Sequence, residues 1–262
     1  MQRLRRLLSS RRDRREERSF AFEGPTLLAA AIHAGIAVER AFVAADSRSD
    51  EVDVAIDLAR AAGTPVATLA PGVLEKVADA VTPHGCAAIA RERRTSLEEL
   101  SLDGLLVVLD EVRDPGNLGA VVRVAEAAGC RGVVLTGSPA DPFGPKALRG
   151  STGSTFRIPI VEAGPIGPLL DHLAARGVAT VATSSHGGED FARFAWPDAV
   201  AIVLGNEAAG LDARALDVCG RRVMIPLVEA VESLNLAVTA GILVFAASRH
   251  LAERDAPAKV LR

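Results

Sequence analysis

The sequence predicts an α/β protein with two domains, of which the second is built on a mostly parallel sheet. Its length of 262 residues suits one large or two ordinary domains. Hydrophobic residues make up 49% of the chain, which is enough to form real cores and excludes global disorder. Short apolar strands alternate with helical segments, and this alternation is typical of a parallel sheet that is covered on both faces.

The N-terminal part of the chain shows the pattern of a small α/β domain. We expect Phe20 and Phe22 to anchor the short segment before the first helix. Helices are predicted for residues 25–35, 52–62 and 71–80, and strands for residues 41–44, 65–69 and 86–90. Arg91–Leu102 is charged and lacks an apolar period, so we predict that it is the linker, with the domain boundary near residue 100.

The C-terminal part shows a longer alternation that begins with the apolar strand Leu105–Asp110. Further strands are predicted for residues 132–136, 157–161, 178–183, 199–204 and 223–226, and helices for residues 117–128, 145–149, 166–176 and 234–253. Pro159 lies inside one of these strands and has no backbone N–H to donate, so that strand is expected to be short or to lie at an edge.

The charge of the chain is unevenly distributed. Residues 1–18 hold eight Arg against Asp13, Glu16 and Glu17, a balance of +5, which leaves −8 for the rest of a chain whose net charge is −3. A basic arm on an acidic body can reach a phosphate backbone. The same residues also suit a short charged helix or a solvated, partly disordered terminus.

The composition excludes several classes of protein. No uninterrupted apolar run is long enough to span a bilayer. Residues 1–18 lack the apolar segment of a secretory signal, so a cytoplasmic protein is expected. Aromatic residues make up only 3% and Tyr is absent, which argues against an RNA-binding surface of stacked aromatic rings.

The three cysteines show no pattern of metal ligands. Cys86, Cys130 and Cys219 are far apart, odd in number and not part of a Cys-x-x-Cys motif. We therefore expect small buried hydrophobic side chains in a reducing compartment, with no metal site and no disulfide framework.

Three motifs stand out, each of which begins as an apolar strand and ends in a turn that bears Gly or Asn. The first is Asn117-x-Gly119-x-x-x-Arg123. The second runs from Leu204-Gly205-Asn206-Glu207 to Gly210-Leu211, and the third joins Ile225-Pro226 to Ser233-Leu234-Asn235. On residue type alone, Ser233 and Asn235 suit helix caps, and Ile225 and Leu234 suit a core.

In this order the motifs resemble those of the SPOUT superfamily of methyltransferases, in its TrmH (SpoU) branch, which methylates ribose 2′-hydroxyls in RNA. The resemblance implies a site for S-adenosylmethionine as cofactor. It assigns cofactor binding to Leu204, Gly205, Gly210, Ile225, Leu227 and Leu234. It assigns catalytic roles to Asn117, Arg123, Glu207, Ser233 and Asn235. The family often carries Gly where Glu229 stands here, which alters the donor loop or adds a charge near the RNA.

The resemblance gives Arg123 the task of taking the ribose proton or steadying the alkoxide. A guanidinium keeps its proton in proteins and is a poor base, so we favour an electrostatic role that also positions phosphate. Without the resemblance, Arg123 suits an Arg that extends from an amphipathic helix. Glu207 is expected to fix Arg123 or the RNA, or else to be an exposed turn carboxylate.

Candidate RNA contacts outside the three motifs are fewer. Arg149, Ser151 and Ser154 precede a strand and suit either contacts to RNA phosphate or loop capping. His186 lies in a Ser-Ser-His-Gly-Gly loop and suits either a substrate contact or ordinary loop polarity.

The resemblance also implies an architecture and a function. It implies a basic arm (1–18), an L30e-like RNA substrate-binding domain (19–98) and a SPOUT methyltransferase domain (103–262) with a parallel sheet and a deep trefoil knot. It implies an obligate homodimer packed partly through the terminal helix. The expected activity is 2′-O-methylation of ribose, in 23S-type rRNA rather than tRNA; the alternative of another class is a non-catalytic, knotted RNA-binding or ribosome assembly factor.

Overall fold

The structure is a computed structural model that describes residues 1–46, 49–77 and 85–255. These residues form two compact units. Unit 1 combines Met1–Arg94 with Asp141–Arg157, and unit 2 combines Thr95–Ala140 with the chain from Ile158 onward. The first division falls close to the predicted boundary near residue 100, whereas the assignment of residues 141–157 to unit 1 differs from the predicted domains.

The helices and strands follow one another in the predicted alternation. Before residue 95 they are α1 (Gln2–Ser9), α2 (Arg11–Glu17), β1 (Ser19–Glu23), α3 (Pro25–His33), β2 (Val38–Ala44), α4 (Asp50–Ala61), β3 (Val66–Leu69) and β4 (Cys86–Arg91). After it they are β5 (Leu105–Asp110), α5 (Pro115–Ala127), β6 (Gly132–Thr136), α6 (Pro145–Ser151), β7 (Ile160–Gly164), α7 (Ile166–Ala175), β8 (Ala179–Thr183), β9 (Glu189–Asp190), β10 (Val200–Leu204), α8 (Ala213–Val218), β11 (Arg221–Met224) and α9 (Leu236–Asp255).

Unit 1 is built on a four-stranded sheet with the order β1-β4-β2-β3. The pairs β1–β4 and β4–β2 are antiparallel, and β2–β3 is parallel. Phe20 and Phe22 are fully buried in β1 and pack with α3 and α4 on one face of the sheet. The expectation that these two side chains anchor the segment is confirmed, and the segment itself is a strand.

The N-terminal residues form part of the core of unit 1 and are not an arm. Leu4, Leu7 and Leu8 are buried against the other face of the sheet. Their spacing of three and four residues places them on one side of α1, and this apolar stripe explains why the segment folds onto the sheet. The charged side is partly neutralised, because Arg3 and Arg6 both pair with Glu17.

Residues 141–157 belong to unit 1 because of their apolar side chains. Leu148 and Phe156 are buried in the same core as Phe20 and Phe22, and the rings of Phe20 and Phe156 stack with centroids 5.8 Å apart. Arg14 ties α2 to this segment. Its Nε donates to Asp141 Oδ2 at 2.7 Å, and its Nη1 donates to the carbonyl oxygen of Leu7 at 2.6 Å.

Unit 2 is built on a seven-stranded sheet with the order β7-β6-β5-β10-β8-β11-β9. Every strand pair in it is parallel, as the apolar strands predicted. β7 pairs only with β6 among the described residues and lies at one edge, as expected, but it begins at Ile160, so Pro159 precedes the strand instead of lying inside it.

Helices cover the sheet of unit 2 on both faces. Leu106 and Val108 of β5 belong to the core beneath α7 and α8. Val107 and Leu109 are equally buried and point to the opposite face, because side chains alternate along a strand. On that face α9 packs against β5, β10 and α5. Burial on both faces explains why these strands are apolar at every position.

Two predicted helices differ from the structure, and two short elements were not predicted. Residues 71–77 form turns where a helix was predicted over 71–80, and residues 78–80 lie outside the described residues. α5 begins at Pro115 instead of Asn117, because Asp114 caps it and Pro suits the first helical turn. α8 and β9 were not predicted, since both are too short to show a period.

Burial explains the chemistry of the three cysteines. Cys86, Cys130 and Cys219 are free and buried. Loss of hydration raises the pKa of Cys86 and of Cys130 to about 12 and that of Cys219 to about 11, which makes the thiolates rare near neutral pH.

Across residues 1–46, 49–77 and 85–255, no helix is both long enough and apolar enough to cross a membrane.

The ion pair of Arg14 gives a test of how unit 1 is held together. Arg14→Met removes the partner of Asp141 in a site where both side chains are at most 15% exposed. We expect a loss of about 3 kcal/mol in the free energy of unfolding, measured by urea denaturation, because a largely buried carboxylate loses its counter-ion.

Arg12→Met is the matched control, because the Arg12–Glu16 pair is 85% and 58% exposed. This change should leave the free energy of unfolding nearly unaltered, because solvent screens an exposed ion pair. Equal costs for the two variants would contradict the role given to Arg14.

Candidate active site

A cleft of about 750 Å³ opens at the carboxyl end of the central strands of unit 2. Its walls come from the segments that follow β8, β10 and β11, from the start of α9, and from Asn117 near the start of α5. Clefts outside the carboxyl ends of parallel strands are the usual binding sites of α/β sheets.

The cleft brings together most of the residues that the three motifs single out. Asn117, Glu207, Ser233 and Asn235 of the expected catalytic group line it. The expected cofactor residues that line it are Gly205, Gly210, Ile225, Leu227 and Leu234. The first and third motifs are 118 residues apart in sequence, so only the fold explains why they meet.

A relay of side-chain hydrogen bonds joins the three motifs. Asn117 Nδ2 donates to Glu207 Oε1 at 3.1 Å, and Asn235 Nδ2 donates to Asn117 Oδ1 at 3.0 Å. Asn235 Oδ1 accepts from the backbone N–H groups of Ala237 and Val238 at the start of α9. We call this chain of contacts from Glu207 through Asn117 to Asn235 the amide relay.

The amide relay has one self-consistent orientation. The first turn of α9 needs an acceptor, so Asn235 presents its oxygen to the helix and its amide group to Asn117. Asn117 then presents its own oxygen to Asn235 and its amide group to Glu207, which accepts at Oε1. Because a carboxylate only accepts, neither amide can be reversed without losing a bond.

Backbone contacts of Asn206 and Gly205 hold the second motif in place. Asn206 Nδ2 donates to the carbonyl oxygen of Glu111 at 2.9 Å, and its Oδ1 accepts from Ala208 N at 2.9 Å. A Cβ on Gly205 would lie 2.3 Å from the carbonyl carbon of Gly210, so the turn has room only for glycine. Asn206 was not among the predicted site residues, although an Asn after a strand is a turn signal.

Glu207 and Arg123 differ from what was expected of them. The described partners of Glu207 are Asn117 Nδ2 and the backbone N–H of Asp114, so the carboxylate steadies the first motif. Arg123 is exposed on α5 and does not line the cleft. On a helix, six residues separate positions by about 240°, which places Arg123 on a different side from Asn117.

Several other predicted contacts fall outside the cleft. Leu204 is fully buried in β10 and does not line it. Ser151 and Ser154 are 0% and 2% exposed and are therefore closed to an RNA phosphate. Ser151 lies at the end of α6, and its Oγ donates to the carbonyl oxygen of Leu148 in the same helix at 3.0 Å. Arg149 is exposed, in unit 1.

Burial perturbs one carboxyl group at the end of β5. Desolvation raises the pKa of Asp110 above its usual value, and the charges of Glu111 and Asp212 add to this. Thr136 Oγ1 donates to Asp110 Oδ1 at 2.6 Å and opposes the shift. A raised folded-state pKa means that ionised Asp110 lowers stability as the pH rises through that pKa.

The lining of the cleft fits S-adenosylmethionine. Its volume lies in the range of small-molecule sites, about 300–1,000 Å³. Ile225, Leu227 and Leu234 supply apolar surface for an adenine ring, and Ser233 and Thr239 supply hydroxyl groups. Among the residues that the structure describes, no group of three or more His, Cys, Asp or Glu side chains is placed to hold a metal ion.

Comparison with known proteins identifies the family. Residues 104–245 match the model of the SpoU rRNA Methylase family, and residues 2–88 match that of the MRM3-like substrate binding domain. The first match covers more than half of the chain and contains the whole cleft. The protein belongs to the SpoU rRNA methylase family.

Individual relatives match over both units. The chain is 33% identical over 238 residues to the 23S rRNA (guanosine(2553)-2′-O)-methyltransferase RlmP of Bacillus subtilis, a match that covers 91% of this chain and 92% of the relative. The AdoMet-bound rRNA methyltransferase of Sinorhizobium meliloti is 32% identical with a TM-score of 0.84, covering 95% and 94% of the two chains. The SpoU methyltransferase AviRb of Streptomyces viridochromogenes, also in complex with AdoMet, is 28% identical with a TM-score of 0.87, covering 97% of each chain.

The amide relay predicts energetic coupling between residues 117 and 235. Asn117→Ala and Asn235→Ala should each lower the free energy of unfolding. We expect the sum of these two losses to exceed the loss of the double variant by at least about 0.5 kcal/mol. The coupling is modest because the hydrogen bond between the two side chains is exposed to solvent. Urea denaturation of the four proteins measures it.

Asn235→Asp separates the two tasks of Asn235. An Asp keeps the acceptor for the first turn of α9 but cannot donate to Asn117. This variant should lose the coupling with Asn117 while retaining the helix cap. Additive losses in the Ala cycle would contradict the relay.

Proposed function

We propose that the protein transfers the methyl group of S-adenosylmethionine to a ribose 2′-hydroxyl in 23S-type rRNA. The observation that carries the proposal is the convergence of the three motifs on one cleft of unit 2. Membership of the SpoU family supports the reaction class, and relatives that match over both units are named 23S rRNA 2′-O-methyltransferases or rRNA methyltransferases.

In this proposal the cofactor lies against the segments that follow β10 and β11. Ile225, Leu227 and Leu234 enclose the adenine ring, and the turn from Gly205 to Gly210 offers backbone groups. S-adenosylmethionine, when bound, supplies an electrophilic methyl group on a sulfonium centre. The protein contributes by holding the reactants in line, which is worth several orders of magnitude in rate.

The ribose lies at the side of the cleft where Asn117, Glu207 and Ser233 meet. The amide relay holds Asn117 in one orientation, so its remaining N–H can face the ribose without rearrangement. Arg123 is exposed on α5, and we assign it to RNA phosphate, which positions the sugar. Arg123 is not among the described residues that line the cleft, and a guanidinium is a poor base, so we do not assign it the removal of the hydroxyl proton.

The two-unit organisation supports rRNA over tRNA as the substrate. Unit 1 matches a substrate-binding domain, and RlmP, which carries both units, is named as a 23S rRNA enzyme. The alternative is a non-catalytic RNA-binding or assembly factor. It does not explain why one cleft contains all four polar side chains of the motifs, namely Asn117, Glu207, Ser233 and Asn235. Buried, unpaired thiols suit the reducing cytoplasm, which we propose as the place of action.

We further propose that the protein is a homodimer that packs through α9, and that its last third is knotted. Val238 and Phe245 are each 50% exposed and lie seven residues apart, hence on the same side of α9. Exposed apolar surface of this kind marks interaction sites. Support for the knot comes from the strand order, in which β10 enters between β5 and β8 and β11 follows beyond β8.

The proposed activity is tested by mapping ribose methylation. Purified protein is incubated with S-adenosylmethionine and either 23S rRNA or total tRNA, and 2′-O-methyl nucleotides are located by reverse-transcription stops. We expect one modified site in 23S rRNA. Modification of tRNA alone would contradict the substrate, and wild-type protein that neither binds the cofactor nor methylates RNA would favour the assembly factor.

Arg123→Ala distinguishes the roles of the exposed arginine. We expect RNA affinity to fall and its salt dependence to flatten, because a phosphate contact is lost. Cofactor affinity should not change, and Arg123→Lys should recover part of the RNA affinity. Unaltered methylation by Arg123→Ala would contradict the assignment.

The dimer is tested by Phe245→Asp. A charge in an apolar interface is costly, so this variant should shift the sedimentation equilibrium from dimer toward monomer. Val54→Asp is the control, because Val54 is 69% exposed in unit 1 and outside α9. A monomeric wild-type protein, or a dimer indifferent to Phe245→Asp, would contradict this interface.

A further inference from the structure

The segment that follows β8 occupies a distinctive place in the cleft. In the sheet of unit 2, β8 lies between β10 and β11. The segments after β10 and β11 carry Gly205 and Ile225, the residues that the proposed function places against the cofactor. Thr183, Ser184, Ser185 and His186 therefore lie between these two walls, and all four line the cleft.

This segment is held by its own hydrogen bonds and by β11. Ser184 Oγ donates to the carbonyl oxygen of His186, and the backbone N–H of His186 donates to Ser184 Oγ at 3.2 Å. A Cβ on Gly188 would lie 2.8 Å from the carbonyl carbon of Val223, so the chain runs very close to β11 there. The backbone is thus fixed while the His186 side chain remains exposed.

The lining of the cleft has acidic side chains, and His186 is the basic side chain beside them. Among the described residues that line the cleft, the carboxylates are Glu207 and Glu232, and no Lys or Arg is present. His186 is therefore the basic side chain of this lining, and a ring N–H of its imidazole can donate to an anion. S-adenosylmethionine has a sulfonium, an ammonium and a carboxylate group; the acidic side chains suit the two cations, and the carboxylate requires a donor.

The side-chain amides of the cleft already have partners in it, and the remaining N–H of Asn117 faces the ribose in the proposed function. Asn117 and Asn235 are engaged in the amide relay, and Asn206 donates to the carbonyl oxygen of Glu111. Within the described part of the chain, the imidazole of His186 is held at Nδ1, where Ser185 Oγ lies 2.9 Å away. When the Ser185 hydroxyl donates to Nδ1, the ring carries its proton on Nε2, which then donates to a ligand.

We propose that His186 Nε2 binds the carboxylate at the amino-acid end of the cofactor and that Ser185 selects the donating tautomer. The inference rests on the proposed function, since it names a further specificity-determining residue of the same site. His186 does not take part in methyl transfer. Its role is to distinguish S-adenosylmethionine from adenosyl sulfonium compounds that lack the carboxylate.

The test compares two ligands that differ only in that group. Isothermal titration measures the binding of S-adenosylmethionine and of decarboxylated S-adenosylmethionine, which keeps the sulfonium and the amine, to wild-type protein and His186→Ala. We expect His186→Ala to weaken S-adenosylmethionine about tenfold or more, because a hydrogen bond to a charged group is lost. The decarboxylated ligand should be affected less than about twofold. Ser185→Ala should show a smaller loss with the same preference.

His33→Ala is the matched control, because His33 is an exposed histidine in unit 1, and it should leave both affinities unchanged. Suppose that the wild-type protein binds S-adenosylmethionine, but His186→Ala loses no affinity or loses the same affinity for both ligands. Either result overturns the role of His186 and leaves the proposed function intact. A wild-type protein that binds neither ligand overturns the proposed function, and this inference with it.

Discussion

The amide relay is the constraint on which the candidate site depends. Glu207, Asn117 and Asn235 come from three distant segments, and each side chain is held by the next. The relay ends on the first turn of α9, so the start of a 20-residue helix sets the orientation of both amides. Each bond contributes little free energy at an exposed position, and its value lies in the geometry that it imposes.

The relay in turn requires the parallel sheet of unit 2. Parallel strands place their carboxyl ends at one edge, so the segments after β5, β10, β8 and β11 emerge at the same edge of the sheet. The apolar strands are buried on both faces and keep these ends in register. Polar residues that would be costly to bury in the core lie at this edge, where they line the cleft and can contact a ligand.

Much of the fold and of the site could be predicted, and the failures have physical causes. The buried strands and the three motifs are local patterns, and the lining of the cleft contains nine of the residues they single out. The partner of Glu207 depends on a contact 90 residues away, which no local pattern encodes. The eight arginines in residues 1–18 suggested a solvated arm, although the leucines among them form the buried side of α1. The burial of Ser151 follows from packing within unit 1, which no local pattern encodes.

A crystal structure with S-adenosylhomocysteine tests the central claim most directly. The account predicts the ligand in the cleft against Ile225 and Leu234, with Asn235 Nδ2 within hydrogen-bond distance of Asn117 Oδ1 and Asn117 Nδ2 facing Glu207. A ligand lodged elsewhere, or an Asn117 amide turned away from Glu207 in the bound state, would contradict it.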